Sequence, residues 1–146
     1  MPMPMRAREF FRQVLRAEVE LKFLRAKVRH YEDLGLIITS NMSGVGGGHQ
    51  QGASKVEMAA IGSVDATRDL IARIKEYEAT VARAEQVIRD IPQEKYRQIL
   101  TYKYLCGWSY RSISDELGYT DPNSIYRAHG WALSEAQKII NKMNLN

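Results

Sequence analysis

The sequence predicts an all-α protein in which a long, coiled-coil-like helical hairpin precedes a small helix-turn-helix domain. Three observations lead to this prediction. Apolar residues recur at alternating spacings of four and three along two long segments, which is the pattern of a heptad seam. A glycine-rich stretch separates these segments. After Pro92 the predicted helices become short, glycines separate them, and aromatic residues become frequent.

The first long helix is predicted over residues 6–35. Its apolar positions follow one seam, made of Phe10, Val14, Ala17, Leu21, Leu24, Val28 and Tyr31. Charged residues fill most other positions, as they do in a helix that buries one narrow stripe. Gly35 is expected to end the helix in the left-handed conformation.

A loop rich in glycine and small polar residues is predicted at about 36–53, and the second long helix is predicted to begin at Ser54. Ser54 and Glu57 have the spacing of a capping box. The second seam comprises Leu70, Ile74, Tyr77, Val81, Ala84, Ile88 and Ile91. Residues 1–91 are therefore predicted to form an oligomerisation hairpin. Each seam could instead pair with a second chain, and we favour a homodimer because one helix pair has little core.

Pro92 marks the predicted domain boundary, because proline removes an amide and disfavours helical geometry at Ile91. Within residues 92–146, a helix is expected from Gln93 to Cys106, with Gly107 after it. Its candidate buried residues are Ile99, Leu100 and Tyr104.

The next two helices have clear local signals. Ser109 is suited to cap the helix that buries Ile113 and Leu117, and Gly118 permits a sharp turn. Asp121-Pro122 then starts a further helix, with aspartate as the cap and proline in the first turn. That helix is expected to bury Ile125, Ala128 and Ala132 and to leave outward Asn123, Tyr126 and Arg127.

The outward residues predict a surface that binds duplex DNA. The first turns of a recognition helix meet base edges in the major groove, where asparagine pairs with adenine and arginine with guanine. The full predicted DNA-binding set is Lys103, Ser109, Tyr110, Arg111, Thr120, Asn123, Ser124, Tyr126, Arg127 and Gly130. The alternative interpretation is a generic helical bundle that carries these residues on its surface.

Other features limit the function classes. The net charge of +4 is a mild basic excess, located in residues 1–35 and 92–146, and by itself leaves the function open. The glycines at 46–48 lack the Gly-Lys-Ser/Thr of a phosphate-binding loop, and the histidines and Cys106 lack metal-ligand spacing. We therefore expect no enzyme activity, no metal and no cofactor. Trp108 and Trp131 are predicted to be core residues, and His129 a packed or capping group.

The composition is typical of a folded, cytoplasmic protein. Hydrophobic residues make up 45% of the 146 residues. No apolar run approaches the ~18 residues that cross a bilayer, and no secretory signal is recognisable. The single Cys106 excludes an intrachain disulfide, as expected in a reducing compartment.

The segment ILTYKYLCGWSYRSISDELGYTDPNSIYRAHGWAL resembles the region 4 helix-turn-helix of sigma factors. The matching residues are Tyr104, Gly107, Ser109, Ile113, Leu117, Gly118, Ile125, Arg127, His129, Ala132 and Leu133. One more residue lies between Gly118 and Ile125 than in the usual pattern. The resemblance implies a recognition helix that ends near Leu133.

The order of parts along the chain resembles the late-gene transcription regulators of phages of Gram-positive hosts, the RinA/ArpU-like group. The shared parts are an N-terminal helix, a Gly/Ser loop, the SKVEMAA stretch (54–60), a second long helix and the sigma-like C-terminus. This resemblance implies an activator of late packaging and morphogenesis genes in a bacterial host cell, with host RNA polymerase as a further partner.

Two alternative classes remain. A phage packaging component such as a small terminase subunit also combines a DNA-binding helical module with an oligomerising region, and a protein-interaction adaptor would bind no DNA. Particle mass by light scattering distinguishes a dimeric regulator from a terminase ring of about eight or more subunits.

Overall fold

The computed structural model describes residues 5–35 and 64–143, with side chains from Thr67 onward in the second range. All regular structure in these ranges is helical, so the all-α class is confirmed. The helices are α1 (Ala7–Asp33), α2 (Val64–Arg89), α3 (Glu94–Leu100), α4 (Tyr110–Leu117) and α5 (Pro122–Met143). Between α3 and α4, Thr101–Leu105 forms a π-helical turn. No described helix has the length and apolar character needed to span a bilayer.

Several predictions fall on parts of the chain outside the described residues. They are the loop at 36–53, the capping box of Ser54 and Glu57, and the rest of the SKVEMAA stretch. Within the described ranges, α2 starts at Val64. Gly35 follows α1 with a φ of 72°, as predicted for a left-handed helix end.

The chain divides into two compact units, but the division does not lie at Pro92. The first unit joins Met1–Glu18 with Ala79–Asn146, and the second unit is Val19–Glu78. One apolar core explains why these segments form a single unit, since it takes residues from α1, α2, α3 and α5 and from the π-helical turn. The ends of both long helices therefore belong to the same folding unit as the C-terminal helices.

The core of the first unit is built around α1 and α5. Phe11 of α1 is completely buried. Its ring meets Phe10 edge-on and stacks on Tyr104, each at a centroid distance of 5.0 Å. The other buried members of this core are Ala7, Val14, Ala84, Val87, Ile88, Ile91, Leu100, Ala132, Leu133, Ala136, Ile139 and Ile140.

Gln137 fastens the beginning of α1 to α5. Its Oε1 accepts a hydrogen bond from the Ala7 amide at 2.6 Å, and its Nε2 donates to the Met5 carbonyl at 3.0 Å. The first amides of a helix have no partner within that helix, so Gln137 supplies one from 130 positions along the chain.

The second unit contains the middle of the heptad seams. Leu21, Leu24, Val28 and Ile74 are buried. Arg25 and Glu78 form an ion pair at 3.2 Å between half-exposed side chains. Exposed pairs of this kind contribute little stability, so among the described residues of this unit apolar burial contributes more to stability than the ion pair does. Whether the seams pair within one chain or between two chains stays a prediction.

We predict that Phe11→Ala lowers the free energy of unfolding by about 3–5 kcal/mol, because it empties a buried site between Phe10 and Tyr104. Phe23→Ala is the matched control on the same helix, since Phe23 is 60% exposed; it should cost less than about 0.5 kcal/mol. Urea unfolding followed by circular dichroism measures both. Equal losses in the two variants would contradict the assigned core.

Candidate nucleic-acid interface

Helices α4 and α5 and the turn between them form a compact corner. Ser109 caps α4, because its side-chain oxygen accepts a hydrogen bond from the Ser112 amide at 3.1 Å. Gly118 ends α4 with a φ of 77°, and its amide bonds to the Asp115 carbonyl at 3.3 Å. Residues with a Cβ rarely adopt this conformation, so glycine permits the chain to turn directly into the next helix.

The start of α5 follows the predicted signal. Asp121 Oδ1 accepts a hydrogen bond from the Asn123 amide, and the Asp121 carbonyl accepts one from the Ser124 amide, both at 3.0 Å. Pro122 is the first helical residue, where its missing amide is harmless. The side chains that follow are thereby placed at defined angles around α5.

A second core holds this corner together. Ile99, Ile113, Ile125 and Ala128 are buried against one another. Partly buried side chains surround them: Tyr102, Trp108, Tyr110, Leu117 and Tyr119. Because α3, α4 and α5 each contribute to this core, the inner face of α5 is occupied throughout its first turns. The opposite face is the one left open to solvent.

The three residues predicted to read bases are exposed on that outer face. Asn123, Tyr126 and Arg127 are all exposed, and Tyr126 retains 55% of its accessible surface. Ser124 and Gly130, also predicted to contact DNA, are half-buried on α5.

The remaining predicted site residues lie on α4 and the turns. Ser109, Arg111 and Thr120 are exposed, while Lys103 and Tyr110 are half-buried. The Lys103 ammonium lies 4.0 Å from the centre of the Tyr110 ring, and Tyr110 lies 4.9 Å from the Tyr126 ring. The structure thus brings Lys103, Tyr110 and Tyr126 into one row.

Arg127 has weak partners within the protein. Its guanidinium lies 3.6 Å from Asp121 Oδ2 and 3.4 Å from Ser124 Oγ. The Arg127 and Asp121 side chains are 59% and 51% exposed, and ion pairs this open contribute about 1 kcal/mol at most. Release of Arg127 toward an external acceptor therefore costs little.

A buried polar pair supports α5 from behind. The Tyr104 hydroxyl and His129 Nε2 form a hydrogen bond of 2.7 Å, and the Tyr110 ring meets the His129 ring edge-on at 5.3 Å. Burial raises the pKa of Tyr104 to about 12, with a smaller rise from Tyr110. Burial, followed by the positive charges of Arg8 and Lys103, lowers the pKa of His129 to about 4. Both groups are neutral near pH 7.

The prediction for Trp131 is wrong. Trp131 is 57% exposed, since Ala128 and Ala132 occupy the inward positions of α5 and place Trp131 on the outer side. Trp108 is half-buried and stacks on Tyr102 at a centroid distance of 4.3 Å, which agrees with the predicted packing role. His129 is a packed group, as predicted.

Two features of the site had only weak sequence signals. The π-helical turn at Thr101–Leu105 directs Tyr102, Lys103 and Tyr104 to three different partners, and no sequence pattern marks its start. α5 also continues to Met143, ten residues beyond the end that the sigma-factor resemblance implies. The sequence signal for this longer helix was the apolar pair Ile139 and Ile140, which lie more than four turns into α5 and are buried.

Within residues 5–35 and 64–143, no cluster of three or more histidine, cysteine or acidic side chains could hold a metal ion.

Comparisons with protein-family models, with curated proteins and with solved structures found no match to this chain. The geometry of the α4–α5 corner is therefore the main indication of function.

We predict that His129 makes stability depend on pH. Between pH 6.5 and about 4 the unfolded chain protonates this histidine while the folded chain does not. The free energy of unfolding should therefore fall as the pH drops through this window, by no more than about 1.4 kcal/mol per pH unit from this group. The difference between wild type and His129→Gln in urea unfolding at several pH values isolates this contribution. Parallel pH profiles for the two proteins would contradict it.

Proposed function

We propose that this protein is a sequence-specific transcription regulator that binds double-stranded DNA through α5. The observation that supports this most directly is the division of α5 into two faces. Ile125 and Ala128 fill the second core, while Asn123, Tyr126 and Arg127 are exposed on the first turns. In helix-turn-helix proteins such first turns enter the major groove.

The side chains on this face have the chemistry of base recognition. Arginine can make two hydrogen bonds to guanine, and asparagine two to adenine. Tyr126 offers a hydroxyl to a phosphate or a ring to a thymine methyl group. Arg111 and Lys103 supply positive charge for the flanking phosphates, and hydroxyls of Ser109, Thr120 and Ser124 supply further hydrogen bonds.

Gly130 favours the same surface. A glycine inside a helix costs about 1 kcal/mol relative to alanine, yet a Cβ at Gly130 would meet no atom of the protein within 4 Å. Internal packing therefore does not require a glycine here. Close approach of the DNA backbone to α5 is a physical reason for a glycine, since no side chain projects from this position.

The regulatory role extends the proposal through the family resemblance. We propose an activator of phage late genes that acts as a homodimer in the bacterial cytoplasm, with host RNA polymerase as a further partner. A dimer suits a helix-turn-helix protein because two copies read two half-sites.

In vitro selection from a randomised duplex library identifies the preferred site, and gel-shift titration then compares variants. Arg127→Ala and Asn123→Ala should each weaken binding to the selected site by roughly 1–3 kcal/mol and affect a scrambled site much less. Lys103→Ala should weaken both sites alike, since phosphate contacts carry no sequence information.

Lys138→Ala is the matched control, because Lys138 is exposed on α5 beyond the first turns and pairs with Glu135 at 2.9 Å. It should leave both affinities unchanged. Failure of the selection to enrich any sequence would contradict specific recognition, and equal loss on both sites for Arg127→Ala would contradict base reading by that residue.

A further inference from the structure

The N-terminal half of α1 carries a stripe of arginines outside the predicted DNA-binding set. Arg8, Arg12 and Arg16 are separated by four residues each, which places them on one face of the helix, and all three are exposed. Among the described residues, no acidic side chain forms an ion pair with any of them. Glu9 lies beside the stripe and is also exposed. The stripe is a row of unneutralised positive charge.

The beginning of α1 lies against the part of α5 from Gly130 to Gln137. The Gln137 side chain bonds to both Met5 and Ala7. An open cleft of about 410 Å³ lies beside this contact, and its lining includes Arg6 and Arg8 from α1 and Gly130 and Ser134 from α5. Arg8 therefore borders Gly130, the last residue along α5 in the predicted DNA-binding set.

The electrostatics agree with this placement. The positive charge of Arg8 lowers the pKa of His129 and opposes the rise of the Tyr110 pKa that burial causes. Arg12 opposes the rise at Tyr104 in the same way as Arg8. These effects need proximity, so Arg8 lies near Tyr110 and His129, and both arginines lie near Tyr104.

The backbone that carries these arginines is firmly packed. Phe10, Phe11 and Val14 alternate with them along α1 and are buried in the core of the first unit. Phe11 reaches α5 through Tyr104, which bonds to His129. The backbone that carries Arg8 and Arg12 is thus packed against the elements that carry the recognition surface. The packed backbone removes the main-chain part of the ordering cost on binding, while the exposed guanidinium side chains still lose rotamer freedom when they contact phosphate.

We infer that Arg8 and Arg12 form a second phosphate-binding surface, which clamps the DNA backbone beside the groove that α5 enters. The inference rests on the proposed function, because the same duplex must contact α5. Guanidinium groups suit the partner, since they bind phosphate oxygens through paired hydrogen bonds and stay charged at all relevant pH values. An open, exposed and unpaired row fits a long polyanion better than an enclosed small ligand.

The salt dependence of binding tests the inference with the full chain and a short mixed-sequence duplex, followed by fluorescence anisotropy. Each phosphate contact contributes about 0.9 to the slope of log K against log salt. Arg8→Gln/Arg12→Gln should therefore reduce the magnitude of that slope by about 1.8 and weaken binding roughly 10- to 100-fold near 0.1 M salt. The loss should be the same on a selected site and on its scrambled form.

Two further variants separate charge from other causes. Arg8→Lys/Arg12→Lys keeps the charges and should retain most of the slope. Lys22→Gln/Arg29→Gln removes two exposed charges from the same helix within the second unit, and it should leave the slope unchanged.

The outcomes distinguish this inference from the proposed function. If wild type binds DNA and the Arg8→Gln/Arg12→Gln slope equals that of wild type, the clamp is overturned while recognition by α5 stands. If the control variant loses as much slope as the test variant, the effect is one of net charge and the clamp is again overturned. If wild type binds no duplex at any salt concentration, the proposed function fails, and the clamp fails with it.

Discussion

The packing of Tyr104 is the interaction on which the first unit depends. Its ring stacks on Phe11 of α1, and its hydroxyl bonds to His129 of α5. Tyr104 thus connects the core shared by the long helices to the inner face of α5. Ala128, which precedes His129 in α5, belongs to the second core. A neutral, desolvated hydrogen bond of this kind is costly to leave half-made, so it couples the position of α5 to that of α1.

This coupling explains why Pro92 does not divide the chain into independent halves. α5 has 22 residues, and only its first turns belong to the α4–α5 corner. Its later residues, among them Ala136 and Ile140, are buried with the ends of α1 and α2. The α4–α5 corner has little core of its own, so it gains its rigidity from the long helices. The exposed face of α5 is consequently held by two cores, which suits the DNA-binding role that we propose for it.

Local signals in the sequence predicted most of the elements and much of the candidate site. Ser109, Gly118 and Asp121-Pro122 act through bonds to neighbours two or three residues away, so their effect is readable without the fold. The inward and outward residues of the first turns of α5 were predicted from helical period alone. The seam residues of α1 were predicted in the same way, and those from Phe10 to Val28 are buried.

The features that the sequence did not reveal depend on distant contacts. The sequence does not distinguish Gln137 from other polar helical residues, because its hydrogen-bond partner Ala7 lies 130 positions away in the chain. The exposure of Trp131 follows from small Ala132 filling the core instead, against the ordinary preference of large apolar side chains for burial. Arg8 and Arg12 look like solvated helix residues in the sequence, and their relation to α5 exists only in the folded chain.

Under the proposed function, the outer face of α5 is the surface that meets duplex DNA. An NMR titration of the ¹⁵N-labelled protein with the selected duplex tests it most directly, because each backbone amide reports its own environment. We expect the largest chemical-shift changes between Thr120 and Gly130. Chemical-shift changes confined to the second unit would contradict this function. So would the absence of any change at a DNA concentration that saturates the protein.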